Sequence, residues 1–536
     1  MFIDYLKLKK NIVLAAAAFF AFAAIGTVFY YILCPSAAFF HSDCSDTIYW
    51  AQASVEAKSL FNNDFGYAAT LPFGGAMIMM PLILISGVTL TTHQIGMVIF
   101  AAIMFAGIYY ICRCVSFSVP LSFTATGLTA LILASSEKMR EIFYEHVIYY
   151  SIGVVILCIL LAFYIRFTEN LGSYTVLKRI GFCLLIFAFS FMSALDGTQI
   201  VACAVLPVIF AAGCEILFSK ENIISKKNIP AIAFCGLVLF STLIGIAALK
   251  AETSRIHLEL GYANAYSCFS DRTEWLNNFL KLPVQWIELF GVDAAYGMSL
   301  FSPEAIVNIL RIATALLLGI VPVAALFFIN RFDRGSKLLI FAHFGMTGVI
   351  MFGYIFGMLS LANWRLSPMI ATSVLVCVAV YKAMKPHITL KRIGAIGICI
   401  LIAMSAINAK VIFDMPQNGR ENNQYYRLSQ FLEEQNLEYG FSTFWHAHTT
   451  TIISDSNVRI INTDINENGI TPCPFQTDMK WFEPEGVDRV FLLCTGYELT
   501  TLSFTEDWKY IENGPIERLE FEGFHIFVFD NTDFLY

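Results

Sequence analysis

NIVLAAAAFFAFAAIGTVFYYIL (residues 11–33) and HSDCSDTIYWA (residues 41–51) follow each other closely near the start of the sequence. The first segment is about as long as the roughly 20 apolar residues that a helix needs to cross a bilayer. Basic residues precede it, as in a signal peptide, but its apolar part is longer than a signal peptide usually has, so we interpret it as an uncleaved first span. The second segment then lies where the chain leaves the bilayer and meets water.

The overall composition supports a membrane protein. Hydrophobic residues make up 57% of the 536 residues and charged residues only 14%, which is too apolar for a soluble chain of this length. The net charge of −7 gives no indication of a nucleic-acid partner. Most of the 14 cysteines lie in apolar segments and pack as small hydrophobic residues, although a Cys473–Cys494 disulfide outside the membrane stays possible.

Eleven apolar runs predict a polytopic α-helical protein. They cover about residues 11–33, 94–112, 119–135, 147–166, 180–195, 198–218, 229–249, 303–329, 338–360, 368–385 and 391–410. Lysine and arginine concentrate at the N-terminus and in alternate connections, which the positive-inside rule places in the cytoplasm. With about eleven spans, the C-terminus is predicted to lie outside the cytoplasm.

One further apolar run breaks this alternation if it crosses the membrane. It reads PFGGAMIMMPLILISGV (residues 72–88) and contains prolines at its start and in its middle. Such a segment fits a horizontal or re-entrant helix near the outer interface, where protein or water satisfies the backbone.

The sequence predicts two domains. Residues 1–410 form a transmembrane domain with external loops at 34–92 and 250–302, and residues 411–536 form an extracytoplasmic α/β domain. In the second part, a helical pattern, YRLSQFLEEQ (426–435), precedes strand-like runs. These runs are VRIINTDI (458–465), RVFLLC (489–494), RLEFEG (518–523) and FHIFVFD (524–530).

The first external loop carries paired carboxylates, Asp43 and Asp46. Residues three apart share one face of a helical turn, so the pair can hold a divalent cation or supply a general base. An equally simple interpretation is that Asp46 only caps the helix that begins at residues 47–54, TIYWAQAS, as aspartate commonly does.

A second group lies in the external connection SEKMREIFYEHVIYY (136–150). Its candidates for a site are Lys138, Arg140, Glu145 and His146. Taken singly, Lys138 and Arg140 can also be explained by snorkelling to lipid headgroups, and His146 as a satisfied interfacial histidine. As a cluster at the mouth of a span, they point more strongly to function.

Three other polar residues interrupt apolar surroundings. Arg365, in NWRLSP near the external start of a span, can bind a lipid phosphate bidentately or serve as an interfacial anchor beside Trp364. Asp196, at a hairpin tip, is either a site residue or a turn residue. His343 lies alone in an apolar run, and we interpret it as a core histidine.

Taken together, these motifs resemble those of the GT-C superfamily of integral membrane glycosyltransferases. The shared plan has a first span, an external loop with paired acids (DCSD), a PFGG helix, a many-span body, the late WRLSP motif and an external α/β domain. The superfamily includes protein mannosyltransferases, catalytic subunits of oligosaccharyltransferases and lipid A aminoarabinose transferases. The segment YGFSTFWHAHTTTIISDSNVRI (439–460) is also similar to the C-terminal region of bacterial members.

The resemblance implies transfer of a sugar from a polyprenyl-phosphate donor to a glycan, lipid or protein acceptor outside the cytoplasm. It implies that Asp43 or Asp46 is catalytic, with or without a divalent metal ion, and that Arg365, Arg140 and Lys138 bind the donor phosphate. The chain departs from the family pattern by having DxxD where relatives have DD, DE or DxD, and WRLSP where many have RYLxP.

Two other classes of protein share some of these features. A transporter or lipid flippase is also polytopic, but it usually carries ionisable residues or broken helices near the membrane midplane. An inactive scaffold would use the C-terminal domain only to bind a partner. Convergence of Asp43, His146 and Arg365 on one substrate would distinguish an enzyme from both.

Overall fold

The computed structural model describes residues 2–219, 221–258, 267–293, 297–384, 388–483 and 486–535. The chain divides into two compact units, neither of them continuous in sequence. The helical unit comprises Met1–Phe29, Phe100–Leu249 and Asn264–Asp414. The sheet unit comprises Tyr30–Ile99, Lys250–Ala263 and Met415–Tyr536.

Within the described ranges, ten helices are long and apolar enough to cross a membrane. They are Lys10–Ala38, Leu90–Cys114, Tyr149–Asn170, Val176–Leu195, Thr198–Leu217, Ile229–Thr253, Pro303–Phe327, Arg334–Phe356, Asn363–Met384 and Ile388–Phe413. Each corresponds to one of the predicted apolar runs. The prediction of a multi-pass helical membrane protein is therefore confirmed.

The one predicted run that is not among these ten helices, residues 119–135, forms a shorter helix. Val119–Ile132 has 14 residues and is about 21 Å long, whereas the hydrocarbon core of a bilayer is roughly 30 Å thick. The chain turns after Ile132, and Ser136 caps the next short helix by accepting a hydrogen bond from the Met139 amide at 3.3 Å. Full-length spans in the described part of the chain thus number ten.

The proline-containing run forms an apolar helix, Pro72–Ser86, which is shorter than the ten spans. It consists of one π-helical turn, Pro72–Ala76, and an α-helix, Met77–Ser86. Gly87 follows with φ of 72°, a backbone region that glycine adopts without a steric penalty. In the described ranges, the remaining helices of six or more residues are Asp46–Ala57, Glu274–Glu288, Gln424–Glu434, Phe444–Ile453, Gly496–Leu502 and Trp508–Asn513.

The helix Ser367–Met384 lies at the centre of the helical unit. Every residue from Ser367 to Ala379 is buried, as expected for a helix that is apolar on all sides. It packs against Val119–Ile132, Pro303–Phe327, Arg334–Phe356 and Ile388–Phe413. This helix fixes the position of the WRLSP motif at its start.

The sheet unit contains a six-stranded mixed sheet and a separate two-stranded parallel pair, β1 (Gly66–Tyr67) and β2 (His257–Leu258). The strands of the larger sheet are β3 (Tyr439–Ser442), β4 (Arg459–Asn466), β5 (Gly469–Pro472), β6 (Val490–Thr495), β7 (Glu517–Phe521) and β8 (Phe524–Phe529). Their order is β5-β4-β3-β6-β8-β7. The central strand β3 runs parallel to both of its neighbours, β4 and β6.

The predicted α/β pattern of the C-terminal segment is confirmed. The strands β4, β6, β7 and β8 coincide with the four predicted runs, and the helix Gln424–Glu434 matches the predicted helical pattern. Leucine, isoleucine and valine side chains from both layers pack in one core: Leu428, Leu432, Leu437, Val458, Ile460, Leu493, Ile526 and Val528. Cys473 and Cys494 are both buried free thiols, so the disulfide that the sequence left possible is not formed.

Candidate active site

Asp43 and Asp46 lie in the acid loop, which we define as residues 41–50 of the sheet unit. One 3-10 turn, Ser42–Ser45, leads directly into the helix Asp46–Ala57. The Asp46 amide donates a hydrogen bond to the Asp43 carbonyl. Both aspartates keep part of their surface exposed, whereas the two residues between them are fully buried.

The carboxylate of Asp46 does not act as the helix cap. The N-cap residue is Ser45, whose side chain makes no capping bond, and Asp46 is the first helical residue. Asp46 Oδ1 instead accepts a hydrogen bond from Gln476 Nε2 at 2.8 Å. The pairing of Asp46 with a residue of the C-terminal segment favours the site interpretation over simple capping.

Gln476 is held in a fixed orientation. Its Oε1 accepts a hydrogen bond from the Trp50 indole at 2.5 Å, which directs the amide nitrogen toward Asp46. Its backbone amide donates to the Gly66 carbonyl at 2.7 Å, and its φ is 58°. No sequence pattern singles out this residue, because its partners are more than 400 positions away.

A second connection ties the acid loop to the helix Phe444–Ile453. Ser42 Oγ lies 2.9 Å from Thr449 Oγ1 and donates to the Phe444 carbonyl at 2.6 Å. All of these residues belong to the sheet unit. The acid loop is therefore built on the C-terminal α/β fold at two points, through Ser42 and through Asp46.

An aromatic wall lies behind the acids. The rings of Tyr49 and His448 stack with centroids 4.3 Å apart. Burial raises the pKa of Tyr49 to about 12 and lowers that of His448 to about 3. Both side chains are thus neutral near pH 7, and neither competes with the aspartates as a charged group.

The two aspartates influence each other electrostatically. Burial raises the pKa of Asp46 well above its usual value of 3.8, the charge of Asp43 raises it further, and the Gln476 hydrogen bond lowers it. Like charges close together disfavour a second ionisation. A carboxyl group with a raised pKa is suited to exchange a proton with a substrate near neutral pH.

The acid pair offers an incomplete set of metal ligands. In the part of the chain that is described, no group of three or more histidine, cysteine, aspartate or glutamate side chains could hold a metal ion. Structural zinc sites use four protein ligands and catalytic ones three, so Asp43 and Asp46 alone do not fit a resident zinc ion. Magnesium is commonly held by one or two carboxylates together with substrate phosphates, and the acid pair fits that pattern.

The helical unit brings Lys138 together with the WRLSP motif. Lys138 Nζ lies 4.5 Å from the centre of the Trp364 ring, within the range of a cation–π contact. The same ammonium group donates to both carboxylate oxygens of Glu141 at 2.6 Å. The predicted cation from one external connection thus lies beside the residue that precedes Arg365.

Arg365 is buried, with 4% of its surface exposed. Its Nη1 donates to the Met358 carbonyl at 2.9 Å, and its guanidinium interacts with the Tyr150 side chain. Arg365 sits in the 3-10 turn Asn363–Leu366, directly before the buried helix Ser367–Met384. These contacts restrain the guanidinium and differ from those of a loosely held surface anchor.

Arg140 is also buried and donates to the Ala134 carbonyl at 3.2 Å. Its charge acts on Arg311, a residue that sequence reasoning did not single out. Arg311 Nη1 donates to the Gly291 carbonyl at 2.5 Å. Asp293 also acts on Arg311, with the opposite sign, and neither effect could be predicted from the positions of these residues in the sequence.

The other predicted candidates are buried polar residues of the helical unit. Glu145 and His146 have 3% and 4% of their surfaces exposed, and Asp196 has 2%. Asp196 caps the C-terminal end of the helix Val176–Leu195. His343 is buried in its span, and its Nδ1 lies 2.8 Å from Thr372 Oγ1, as expected for a core histidine.

Comparison with known proteins gives matches among solved structures. No protein-family model matches the sequence, and no curated protein matches it significantly. The apo structure of ArnT from Cupriavidus metallidurans is 10% identical in sequence, with a TM-score of 0.53, and the match covers 99% of each chain.

A second match is the oligosaccharyltransferase of Archaeoglobus fulgidus in complex with Zn and sulfate. It is 12% identical, with a TM-score of 0.52, and the match covers 92% of this chain and 70% of that one. Both proteins are GT-C glycosyltransferases. The chain therefore has a GT-C fold, and the resemblance seen in the sequence is confirmed at the level of the fold.

Proposed function

We propose that the protein is a membrane glycosyltransferase that moves a sugar from a polyprenyl-phosphate donor to an acceptor outside the cytoplasm. The observation that carries the proposal is the acid pair: two carboxylates three residues apart, one of them held by Gln476 and with a raised pKa. The GT-C fold supports it, because this fold also houses the transferases ArnT and oligosaccharyltransferase.

In this reaction Asp43 is the general base. It takes the proton of an acceptor hydroxyl while the acceptor oxygen attacks the anomeric carbon of the donor sugar. The bond between that carbon and the phosphate oxygen breaks, and the lipid phosphate leaves with the electron pair. Asp46 holds the loop through Gln476, and the charge of Asp43 favours protonation of Asp46.

The leaving phosphate requires positive charge. We assign this role to Arg365, Arg140 and Lys138 of the helical unit, with Glu145, His146 and Asp196 as further candidates for the site. A guanidinium binds phosphate through two parallel N–H groups, and burial of Arg365 and Arg140 strengthens such contacts. A divalent cation, if one binds, would be held by Asp43 and Asp46 and would supply further positive charge for the leaving phosphate.

The distribution of ionisable residues supports an enzyme rather than a transporter or flippase. In the ten spans, charged residues lie near the helix ends. Arg311 lies about two turns in from Pro303, and His343, the core histidine bonded to Thr372, lies near the middle of its span, Arg334–Phe356. Transporters typically place such groups near the membrane midplane.

For the topology, we propose a cytoplasmic N-terminus and an extracytoplasmic C-terminus. The basis is the concentration of lysine and arginine in alternate connections, and this orientation requires the 14-residue helix Val119–Ile132 to cross the membrane as an eleventh span. Residues 1–410 are then the transmembrane domain, and residues 411–536 lie outside the cytoplasm with the first loop, 34–92. In this orientation Asp43 is available to an acceptor that arrives from the external water.

Substitution of Asp43 tests the function. Asp43→Asn keeps the shape of the side chain and removes its charge, so the rate of sugar transfer should fall by about 100-fold or more. Transfer is measured in reconstituted membranes with a radiolabelled polyprenyl-phosphate sugar. Asp64→Asn, in an exposed part of the same loop, is the control and should transfer normally. Equal rates for Asp43→Asn and the unaltered protein, at equal abundance, would remove Asp43 from the mechanism.

A further inference from the structure

The sheet unit contains a second polar cluster, which neither the acid pair nor the basic residues explain. It lies at the carboxyl ends of β3 and β6. From β3 the chain passes through Phe444–Ile453 to β4 on one side, whereas from β6 it continues to β7 and β8 on the other side. Such a reversal in an open α/β sheet is where ligands characteristically bind.

His446 and Glu498 form the centre of this cluster. His446 lies in the first turn after β3, and Glu498 in the first turn after β6. Their side chains are only 14% and 10% exposed, and His446 Nε2 lies 3.7 Å from Glu498 Oε1. This distance is too long for a direct hydrogen bond, but a hydroxyl oxygen about 2.8 Å from each atom can accept from one and donate to the other.

The surrounding bonds fix the roles of these two atoms. His446 Nδ1 lies 3.1 Å from the Tyr425 hydroxyl, which can donate to it and leave the imidazole proton on Nε2. Glu498 Oε1 accepts from Thr443 Oγ1 at 2.6 Å, and Oε2 accepts from the Thr495 amide at 2.7 Å. The result is an oriented N–H donor and an oriented carboxylate acceptor side by side.

The charge of the cluster selects among ligands. Burial lowers the pKa of His446, and Glu498 only partly opposes this effect, so the imidazole is neutral near pH 7. The carboxylate of Glu498 repels anions. A hydroxyl-bearing neutral ligand therefore fits, whereas a phosphate or sulfate does not.

Two exposed aromatic residues flank the pair in sequence. Trp445 directly precedes His446 and is 55% exposed, and Tyr497 directly precedes Glu498 and is 83% exposed. Aromatic faces bind the apolar C–H face of a sugar ring, while the ring hydroxyls need polar partners. An exposed aromatic residue that directly precedes each member of the donor–acceptor pair in the sequence can supply the first requirement, and the pair itself supplies the second.

We propose that this cluster, formed by Trp445, His446, Tyr497 and Glu498, binds the acceptor of the transfer reaction and that the acceptor is a neutral carbohydrate. This inference rests on the proposed function and specifies the acceptor class for it. The acid loop supports the placement, because Ser42 donates to the carbonyls of Phe444 and Trp445 at 2.6 and 3.1 Å. An acceptor held at the start of this helix lies next to the segment that carries Asp43.

The test measures binding to the full-length protein in lipid nanodiscs by saturation-transfer NMR. The probes are maltotriose, chitotriose and mannotriose, as neutral sugars of three linkages. At least one should bind saturably, with a dissociation constant of about 1 mM or lower. Trp445→Ala and Glu498→Gln should each weaken its binding by about tenfold or more, which corresponds to about 1.4 kcal/mol.

Matched variants control for indirect effects. Phe504→Ala removes another exposed aromatic ring, and Glu433→Gln removes another exposed carboxylate of the same unit. Both should bind the sugar normally. Gln at position 498 can still accept from the Thr495 amide and so preserve the helix cap, and Trp445 is exposed, so neither test variant removes a core side chain.

Three results would overturn the proposal. These are the absence of saturable binding of all three sugars, equal binding by the test and control variants, and saturable binding of inorganic phosphate that Glu498→Gln strengthens. If no sugar binds and Trp445→Ala weakens binding of the protein to phosphatidylglycerol vesicles, the exposed aromatic residues contact the membrane surface instead of an acceptor. Asp43→Asn should bind the sugar normally while transfer is lost, so a failure of the proposed chemistry is distinguishable from a failure of acceptor binding.

Discussion

The bridge from Trp50 through Gln476 to Asp46 can be broken by a single substitution. Gln476→Met keeps the length of the side chain and an unbranched Cβ, which the positive φ of 58° tolerates better than a branched one. It removes the hydrogen bonds to Trp50 and Asp46. The unfolding of the sheet unit and the titration of Asp46 should both change.

The stability change follows from burial. Trp50 is 4% exposed, so its indole N–H would be left buried without a partner, which costs about 1–3 kcal/mol. The bond to Asp46 adds less than a fully buried charged hydrogen bond would, because Asp46 keeps part of its surface exposed. We expect a total loss of about 2–4 kcal/mol, seen as a lower unfolding midpoint in detergent-solubilised protein.

The pH dependence should change in a definite direction. The Gln476 hydrogen bond lowers the pKa of Asp46, so its removal raises that pKa further. A loss of about 1.4 kcal/mol from the ionised form corresponds to about one pKa unit. The acid limb of the transfer-rate profile, which reports ionisation of the acid pair, should therefore move about one unit toward higher pH.

A surface variant gives the control for this substitution. Gln430→Met removes an exposed side chain whose described hydrogen bond is to the Tyr426 hydroxyl, at 3.1 Å. It should change neither the unfolding midpoint nor the acid limb of the transfer-rate profile. A double-mutant cycle with Asp46→Asn separates the two arms of the bridge. An unfolding midpoint and an acid limb in Gln476→Met that both match the unaltered protein would refute the reasoning.

Three other predictions concern the donor, the acid pair and the topology. Arg365→Lys keeps the charge but loses the bidentate fork, so the KM for the lipid donor should rise, and Arg365→Ala should raise it further; an unchanged KM in Arg365→Ala would discard the phosphate-binding role. Asp46→Asn should stabilise the protein at pH 7 but not below the usual pKa of 3.8. Burial raises the pKa of Asp46 in the folded state, so the unaltered protein loses stability as the pH rises from 3.8 through the folded-state pKa, and asparagine avoids this loss. Thermal unfolding at both pH values is the measurement. Cysteines introduced at the exposed positions 59, 274 and 457, in a variant without the exposed Cys268, should react with an impermeant reagent on intact cells, and protection of position 457 would contradict an external C-terminus.

The sequence predicted the spans well because each is a long apolar run with a single physical explanation. Val119–Ile132 differs because hydrophobicity continues to residue 135 while the helix ends at a turn after Ile132. An apolar run indicates that its residues are buried, but it does not indicate whether the buried chain continues as a helix or turns. Length alone therefore overestimated this span.

The central strand β3 was missed for a different reason. It has four residues, YGFS, and contains a glycine, so alternation and strand propensity give little signal. Parallel pairing on both sides makes it central. That pairing depends on β4 and β6, which are distant in sequence.

The candidate site was predictable only in part. The spacing of Asp43 and Asp46 and the position of Arg365 before a buried helix are local features, and they drew attention to these residues. Gln476 and Arg311 were missed because what makes them relevant depends on residues distant in sequence: Gln476 lies 430 positions from Asp46, and the charge of Arg140 acts on Arg311. Single-sequence patterns carry no information about such contacts.

The support of the acid loop by residues near the C-terminus has a consequence for biosynthesis. Asp46 leaves the ribosome 430 residues before Gln476, and chains grow at about 5–20 residues per second, so it waits roughly 20–90 s for its partner. Until then the loop lacks both Gln476 and the helix that receives Ser42. A nascent or truncated chain would therefore be inserted in the membrane before Asp43 and Asp46 have their supporting contacts. The protein would become active only after the segment that contains Gln476 has been synthesised.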